Sequence, residues 1–171
     1  MILAVTLLLC LHSVQAEWWS APRSRCDECA EWYAEEKKDT AWLDEVNKLI
    51  PCPCSVELKW YGIVKPSGWK TDWACVKSGW PRCGYYHPGA YGCLRSDEES
   101  PSGARQQCCY DNDGSLLPPN HEGAGTPDKS GSFWDHQKLD VNPFKWCCKE
   151  CDEIGSCQRY KEVRKGDNSH C

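Results

Sequence analysis

The sequence predicts a small, disulfide-rich α+β domain, with an N-terminal helical segment followed by short antiparallel strands and long loops. Three observations support this prediction: fifteen cysteines among 171 residues, a helical hydrophobic period early in the chain, and short strand-like segments separated by Gly and Pro further on. Ten Trp and seven Tyr supply large apolar side chains. We therefore expect a small aromatic core that disulfides hold together.

The first residues, MILAVTLLLCLHSVQA, resemble a secretory signal peptide with small residues at Val14 and Ala16. Cleavage after Ala16 divides the chain into a signal peptide (1–16), a lead-in (17–25) and a single cysteine-rich domain (26–171). The apolar run is too short to span a bilayer comfortably. We expect a secreted, extracellular protein that does not span the membrane. Its mild net charge of −5 argues against nucleic-acid binding.

Cleavage at this point would remove Cys10 and leave fourteen cysteines. An even number at this density, in an oxidising compartment, predicts a framework of up to seven disulfides. Fourteen thiols allow on the order of 10⁵ pairings, so the sequence does not choose among them. The predicted half-cystines are Cys26, Cys29, Cys52, Cys54, Cys75, Cys83, Cys93, Cys108, Cys109, Cys147, Cys148, Cys151, Cys157 and Cys171.

Two pairs of these cysteines are adjacent in the chain, in QQCCYD (106–111) and WCCKEC (146–151). Adjacent cysteines rarely bond each other, because consecutive Cα atoms lie about 3.8 Å apart and a relaxed disulfide prefers about 4.4–6.8 Å. Neighbouring side chains on a strand point to opposite faces. Cys108 and Cys109 are therefore expected to bond different partners on opposite faces of a strand.

A helix is predicted in the N-terminal part, where Asp39 or Thr40 could cap its first turn. An earlier helical piece is expected around 29–33, and Pro51 and Pro53 end the helical region. The predicted buried face of the helix consists of Trp42, Leu43, Val46, Leu49 and Ile50.

A strand is predicted at SVELKWYGIV, where Val56, Leu58 and Trp60 alternate with polar residues and form a buried face. YGCLRS and QQCCYD are predicted as further strands. The sequence DNDG is a turn signal that leads into SLL and predicts a hairpin. A long polar loop is expected over residues 118–132.

The motifs that carry chemistry are weak in this sequence. Two CxxC motifs begin at Cys26 and Cys148. The motifs are too far apart in the sequence to resemble a zinc ribbon. In an oxidising, extracellular compartment, structural half-cystines are favoured. A redox pair of Cys26 and Cys29 near a helix start is the sharper alternative, although no βαβ pattern surrounds it. DNDG does not fit a calcium loop, because position 109 is Cys. We predict no enzymatic activity, no cofactor and no metal.

Two short motifs are candidate partner-binding sites. Lys165, Gly166 and Asp167 form a KGD sequence similar to integrin-binding tripeptides, whose carboxylate completes a metal site on the receptor. An ordinary polar turn is the alternative. Trp80 begins WPRC, which is similar to sites of tryptophan C-mannosylation.

An aromatic segment, residues 68–91, allows two interpretations. Its side chains could be core, because aliphatic residues are scarce, or some could be exposed as a partner-binding patch. The residues concerned are Trp69, Trp73, Trp80, Tyr85, Tyr86 and Tyr91.

The runs CLRS, QQCCYD and GAGTPD, with the opening CDECAEWYAEEKKDTAWLDEVNKLIPCPC, resemble the AMOP domain, an adhesion-associated extracellular domain. The resemblance extends over about 26–171 and is closest to the C-terminal AMOP domain of isthmin. Isthmins carry a thrombospondin type 1 repeat before this domain, whereas here we expect the domain to stand alone behind the signal peptide. The resemblance places the adjacent cysteines on strands that are cross-linked on both faces.

The resemblance implies a non-catalytic binding module whose partner is a cell-surface receptor, with integrins as one candidate, or a matrix protein. Two alternatives come from other classes. One is a secreted cysteine-rich effector that inhibits an enzyme or channel. The other is a thiol–disulfide oxidoreductase, which requires a reactive pair of thiols.

Overall fold

The computed structural model describes residues 22–76, 81–130, 132–166 and 170–171, so the predicted signal peptide, Trp80 and Asp167 lie outside the described residues. The helices are α1 (Arg25–Glu36), α2 (Thr40–Val46), α3 (Pro81–Tyr86), α4 (Phe133–His136), α5 (Asn142–Cys148) and α6 (Ser156–Val163), with a π-helical segment Gln137–Val141 joining α4 to α5. The strands are β1 (Leu58–Lys59), β2 (Gly62–Ile63), β3 (Trp69–Thr71), β4 (Gly92–Ser96) and β5 (Gln107–Tyr110). The predicted disulfide-rich α+β class is confirmed.

An antiparallel sheet of order β3-β4-β5 forms one half of the domain. Cys109 lies opposite Cys93 on β4 and bonds it, whereas Cys108 bonds Cys52. Each disulfide belongs to a separate buried cluster, one with Leu117 and the other with Leu94. The adjacent cysteines of β5 thus cross-link the two faces of the strand, as predicted.

The other half is helical, with α1 packed against α5 and α6. Two disulfides join α1 to the region of α5, namely Cys26–Cys151 and Cys29–Cys147. The second adjacent pair lies in a helix rather than a strand, so its predicted strand setting is wrong. Its two cysteines still bond different partners, because consecutive side chains on a helix diverge by about 100°. The remaining disulfides are Cys148–Cys157, Cys54–Cys171 and Cys75–Cys83.

The N-terminal predictions are confirmed in part. Asp39 caps α2, accepting a hydrogen bond from the Trp42 backbone N–H at 3.0 Å. The helix ends at Val46, however, and Ile50 is 44% exposed, so the predicted apolar face is too long. Trp60 is 88% exposed and its predicted burial is wrong, because it occupies the turn between β1 and β2.

The loop predicted over 118–132 is polar at its start but buried where GAGTPD (123–128) crosses the sheet. Gly125 lies against β5 so closely that a Cβ added there would be 2.3 Å from the Gln107 carbonyl oxygen. The predicted turn at DNDG is also present, with the Asp111 carboxylate accepting from the Ser115 backbone N–H at 2.9 Å. Helices α3 to α6 were not predicted, because cysteines and aromatic residues replace the usual aliphatic period there.

Substitution of Gly125 by alanine should destabilise the protein by about 2 kcal/mol or more, because the added methyl overlaps backbone that cannot swing aside. The matched control is Gly84→Ala in α3, where no atom lies within 4 Å of the added Cβ. It should be neutral or stabilising by up to about 1 kcal/mol. Chemical denaturation without reductant measures both. Equal stabilities would contradict the close packing of GAGTPD on β5.

The seven disulfides use all fourteen cysteines outside the predicted signal peptide. The secreted protein should therefore weigh about fourteen hydrogens less than its reduced form and resist alkylation before reduction. Intact mass spectrometry checks this expectation. Two or more alkylated thiols would contradict it.

Candidate binding cleft

One face of the sheet carries a row of polar side chains. Lys70 on β3 pairs with Arg95 on β4, which in turn pairs with Gln107 on β5. Asp72 follows Lys70 by two residues and so continues the same face. This row lines an open cleft of about 870 Å³, whose other walls come from the GAGTPD loop and from the helical segment that begins at Phe133.

Arg95 organises the floor of the cleft. Its Nε lies 3.1 Å from Asp72 Oδ2 and its Nη1 lies 2.7 Å from Asp128 Oδ2, as close ion pairs rather than aligned hydrogen bonds. Gln107 Nε2 donates to Asp72 Oδ2 at 2.6 Å. The Asp128 backbone is fixed by two hydrogen bonds with the Arg105 backbone, of 2.9 and 3.0 Å. These contacts leave the floor little freedom to move.

The network continues from the cleft into the helical half through His136. The His136 Nδ1 atom lies 3.5 Å from Asp128 Oδ1 and 3.1 Å from Asp140 Oδ2. Asp140 also accepts from Arg164 Nε at 3.0 Å, and Arg164 Nη1 donates to Glu36 on α1 at 2.6 Å. The Arg164 side chain is fully buried. A continuous chain of charges therefore connects the sheet to α1.

Aromatic side chains form the rim of the cleft. Trp73 is 81% exposed, Phe133 65% and Tyr85 42%. Below the rim, the Phe144 ring lies 5.5 Å from Tyr86 and continues the aromatic wall inward. The residues of segment 68–91 divide between the two interpretations: Trp69 is buried in the core, whereas Trp73 and Tyr85 are exposed, and their role in partner binding stays a prediction.

Two groups on the floor bind a proton more tightly than the same groups in water. Burial raises the pKa of Asp128 to about 6, although the Arg95 guanidinium opposes this shift. Burial alone would lower the pKa of His136, but its hydrogen bond to Asp140 and the charge of Asp128 raise it. His87 behaves in the opposite way, since burial lowers its pKa to about 4. The His87 Nδ1 atom has no hydrogen-bond partner among the described residues.

Asp128, His136 and Asp140 bring three potential metal-ligand atoms within 4.8 Å of one another. Two guanidinium groups already lie against the two carboxylates, Arg95 at 2.7 Å and Arg164 at 3.0 Å. An added cation would be repelled by these positive charges. The arrangement is that of a structural ion-pair network and does not argue for a metal.

The sequence-predicted KGD site is only partly within the described residues. Lys165 is exposed and Gly166 is buried, and neither lines the cleft. Asp167 and Trp80 lie outside the described residues, so both motifs stay predictions.

A zinc site and a redox pair, the two alternatives to structural half-cystines at the CxxC motifs, both need cysteines that are free of other disulfides. Cys26 and Cys29 bond Cys151 and Cys147 rather than each other, and Cys148 bonds Cys157. The dithiol that an oxidoreductase would need is thus absent from the described residues.

Sequence reasoning missed most of the cleft. Phe133, His136 and Asp72 carried no local signal, since each lies in an unremarkable polar or loop context, whereas Arg95 belongs to the run CLRS. Asp128 could have been found, because it closes the GAGTPD motif.

The fold and cleft define a small disulfide-cross-linked α+β domain with a polar floor and an aromatic rim. The chain belongs to the AMOP domain family, as predicted, since the family profile matches residues 24–171. The AMOP domain is an extracellular, adhesion-associated module. Closeness to isthmin stays a prediction.

Two relatives illustrate the similarity. Human Sushi domain-containing protein 2 is 31% identical over 157 residues, which cover 82% of this chain and 18% of the relative. Protein mesh of Bombyx mori is 29% identical over 133 residues, covering 67% of this chain and 8% of the relative. The chain thus spans less than a fifth of the length of either relative. No solved structure matches the chain. None of the helices in the described part of the chain is long and apolar enough to span a membrane.

His87 should make the protein less stable in acid. Its pKa is lowered from 6.5 to about 4, so the stability that its neutral form contributes is present above pH 6.5 and is lost as the pH falls towards 4. As the pH falls from 6.5 to 4, the unmodified protein should lose up to about 3 kcal/mol of unfolding free energy through His87. The His87→Gln variant should not show this loss. Urea denaturation across this pH range measures the difference. Parallel pH profiles would show that the ring is not buried in its neutral form.

Proposed function

We propose that the protein is a secreted binding module that acts in cell adhesion or extracellular signalling by holding a cell-surface or matrix partner in the cleft. The observation that carries the proposal is the aromatic rim, where Trp73 and Phe133 are mostly exposed beside a floor fixed by ion pairs. Exposed aromatic residues on a rigid frame are typical of binding hot spots, since little conformational freedom is lost when a partner binds.

Membership of an extracellular, adhesion-associated family supports the same proposal. The proposed mature protein begins after Ala16, with a lead-in to residue 25 and one domain over 26–171. The KGD tripeptide is a second surface that could engage a receptor, with integrins as the candidate partner. No contact among the described residues favours the alternative of a secreted inhibitor.

The cleft can be tested with purified, fluorescently labelled domain on adherent cells and on cell-derived matrix. A double substitution, Trp73→Ala with Phe133→Ala, should reduce binding at least tenfold, because both exposed rings would leave the rim. Trp60→Ala is the matched control: Trp60 is 88% exposed but does not line the cleft, so its loss should change binding less than twofold. Thermal unfolding should be nearly equal for all three proteins.

The outcomes separate the surfaces. Loss of binding in Asp167→Ala alone, with the cleft variant unaffected, would move the partner to the KGD tripeptide. Absence of binding by the unmodified protein to every cell and matrix tested would contradict the adhesion proposal itself.

A further inference from the structure

The lysines of the cleft are its unmatched charges. Lys70 and Lys145 line it, and the ammonium group of neither has an ion-pair or hydrogen-bond partner among the described residues. Lys161 meets only a backbone carbonyl, donating from Nζ to the His121 oxygen at 3.1 Å. Three ammonium groups thus face the cleft without a carboxylate bound to them.

Most carboxylates of the cleft are already engaged. Asp72 and Asp128 share the single charge of Arg95, and Asp140 is paired with Arg164. Glu150 Oε2 lies 2.8 Å from Arg25 Nε, so the charge of this carboxylate is balanced by a residue outside the cleft. Glu122 is the carboxylate of the described lining that has no such pair, and it is exposed to solvent. The three lysine ammonium groups therefore outnumber the carboxylate charges of the cleft that lack a cation of their own, namely Glu122 and one of the two carboxylates that share Arg95.

Lys70 has a second cation as its neighbour on the adjacent strand. It lies directly across from Arg95 in the register of β3 and β4, so two cations occupy neighbouring positions. Burial lowers the pKa of Lys70, and the positive charge of Arg105 lowers it further, with Asp97 and Glu99 opposing. An anionic group bound beside Lys70 would relieve this repulsion.

The shape of the cleft distinguishes among anionic ligands. An acidic peptide with apolar anchors, or a lipid, needs an apolar pocket, whereas the floor here consists of ion-paired and amide groups such as Arg95, Asp72 and Gln107. The exposed apolar surface consists of separate rings at the rim, Trp73 and Phe133. The rings of Tyr86 and Phe144 continue this aromatic surface inward along one wall. A pyranose ring combines the matching features, because its faces of C–H groups stack on aromatic rings and its hydroxyls bond polar groups.

Building on the proposed function, we propose that the cleft binds an acidic saccharide, in which a sugar ring stacks on the aromatic rim and its anionic group contacts Lys70. The anionic group is a carboxylate or a sulfate. Both share the chemistry of oxygen acceptors for an ammonium group.

The test uses three oligosaccharides of equal length in calorimetric titration of the purified protein: chondroitin sulfate (carboxylate and sulfate), hyaluronan (carboxylate only) and an N-acetylglucosamine oligomer (neutral). At least one acidic oligomer should bind ten times more tightly than the neutral one. Binding to both acidic oligomers assigns the carboxylate, and binding to chondroitin sulfate alone assigns the sulfate. Higher salt should weaken the binding.

Two substitutions link this binding to the cleft. Lys70→Gln should weaken acidic-oligomer binding at least fivefold while leaving the fold intact, because it removes an unpaired charge. Trp73→Ala should weaken it about tenfold. Lys65→Gln is the matched control, since Lys65 is exposed and does not line the cleft, and it should change the affinity less than twofold.

Equal affinity for the neutral oligomer, or no effect of Lys70→Gln, would overturn the proposal. So would cell binding that survives enzymatic removal of surface glycans and is lost after protease treatment. In that case the proposed binding function would be retained, with a protein as the partner. Failure to bind cells, matrix and all oligomers would instead remove the proposed function as well.

Discussion

The buried carboxylate of Asp140 joins the two halves of the protein. It lies 3.0 Å from Arg164 Nε and 3.1 Å from His136 Nδ1, and it also accepts from the Lys129 backbone N–H at 3.0 Å. Through His136 it reaches the ion pairs of the sheet, and through Arg164 it reaches Glu36 on α1. Buried charges repay their desolvation only when every member is matched. The network therefore specifies one arrangement of the sheet relative to the helices rather than adding much stability. Removal of any one partner would leave a neighbouring charge buried and unpaired.

Such a network is possible because disulfides and aromatic rings, rather than aliphatic residues, form most of the core around it. The Arg164 guanidinium lies 4.7 Å from the Trp42 ring centre and 5.3 Å from that of Trp32, so the cation is covered by aromatic faces rather than by aliphatic chains. Cys29–Cys147 closes a loop of 118 residues across the same half and restricts the unfolded chain. The floor of the cleft is fixed separately, by the ion pairs of Arg95 with Asp72 and Asp128.

Local features of the fold were predictable, whereas features set by distant contacts were not. The opposite directions of Cys108 and Cys109 follow from strand geometry alone, and Asp39 was identified because a helix start needs an acceptor. Trp69 and Trp73 show the limit: they are four residues apart and similar in context, yet one lies in β3 and is buried while the other follows the strand into a turn and is exposed. The floor of the cleft was hidden for the same reason, since Asp72, Arg95 and Asp128 are each more than twenty residues from the next.

Two of the runs that carry the family resemblance, QQCCYD and GAGTPD, build the floor rather than the rim. Gln107, from QQCCYD, holds Asp72, and its carbonyl oxygen lies where a side chain at Gly125, from GAGTPD, would otherwise be. Asp128, at the end of GAGTPD, completes the pair with Arg95. The rim comes from outside both motifs. Changes at the rim would therefore alter the surface offered to the proposed partner without disturbing the packing that defines the domain, because the rim rings are exposed to solvent and the two motifs contact the core.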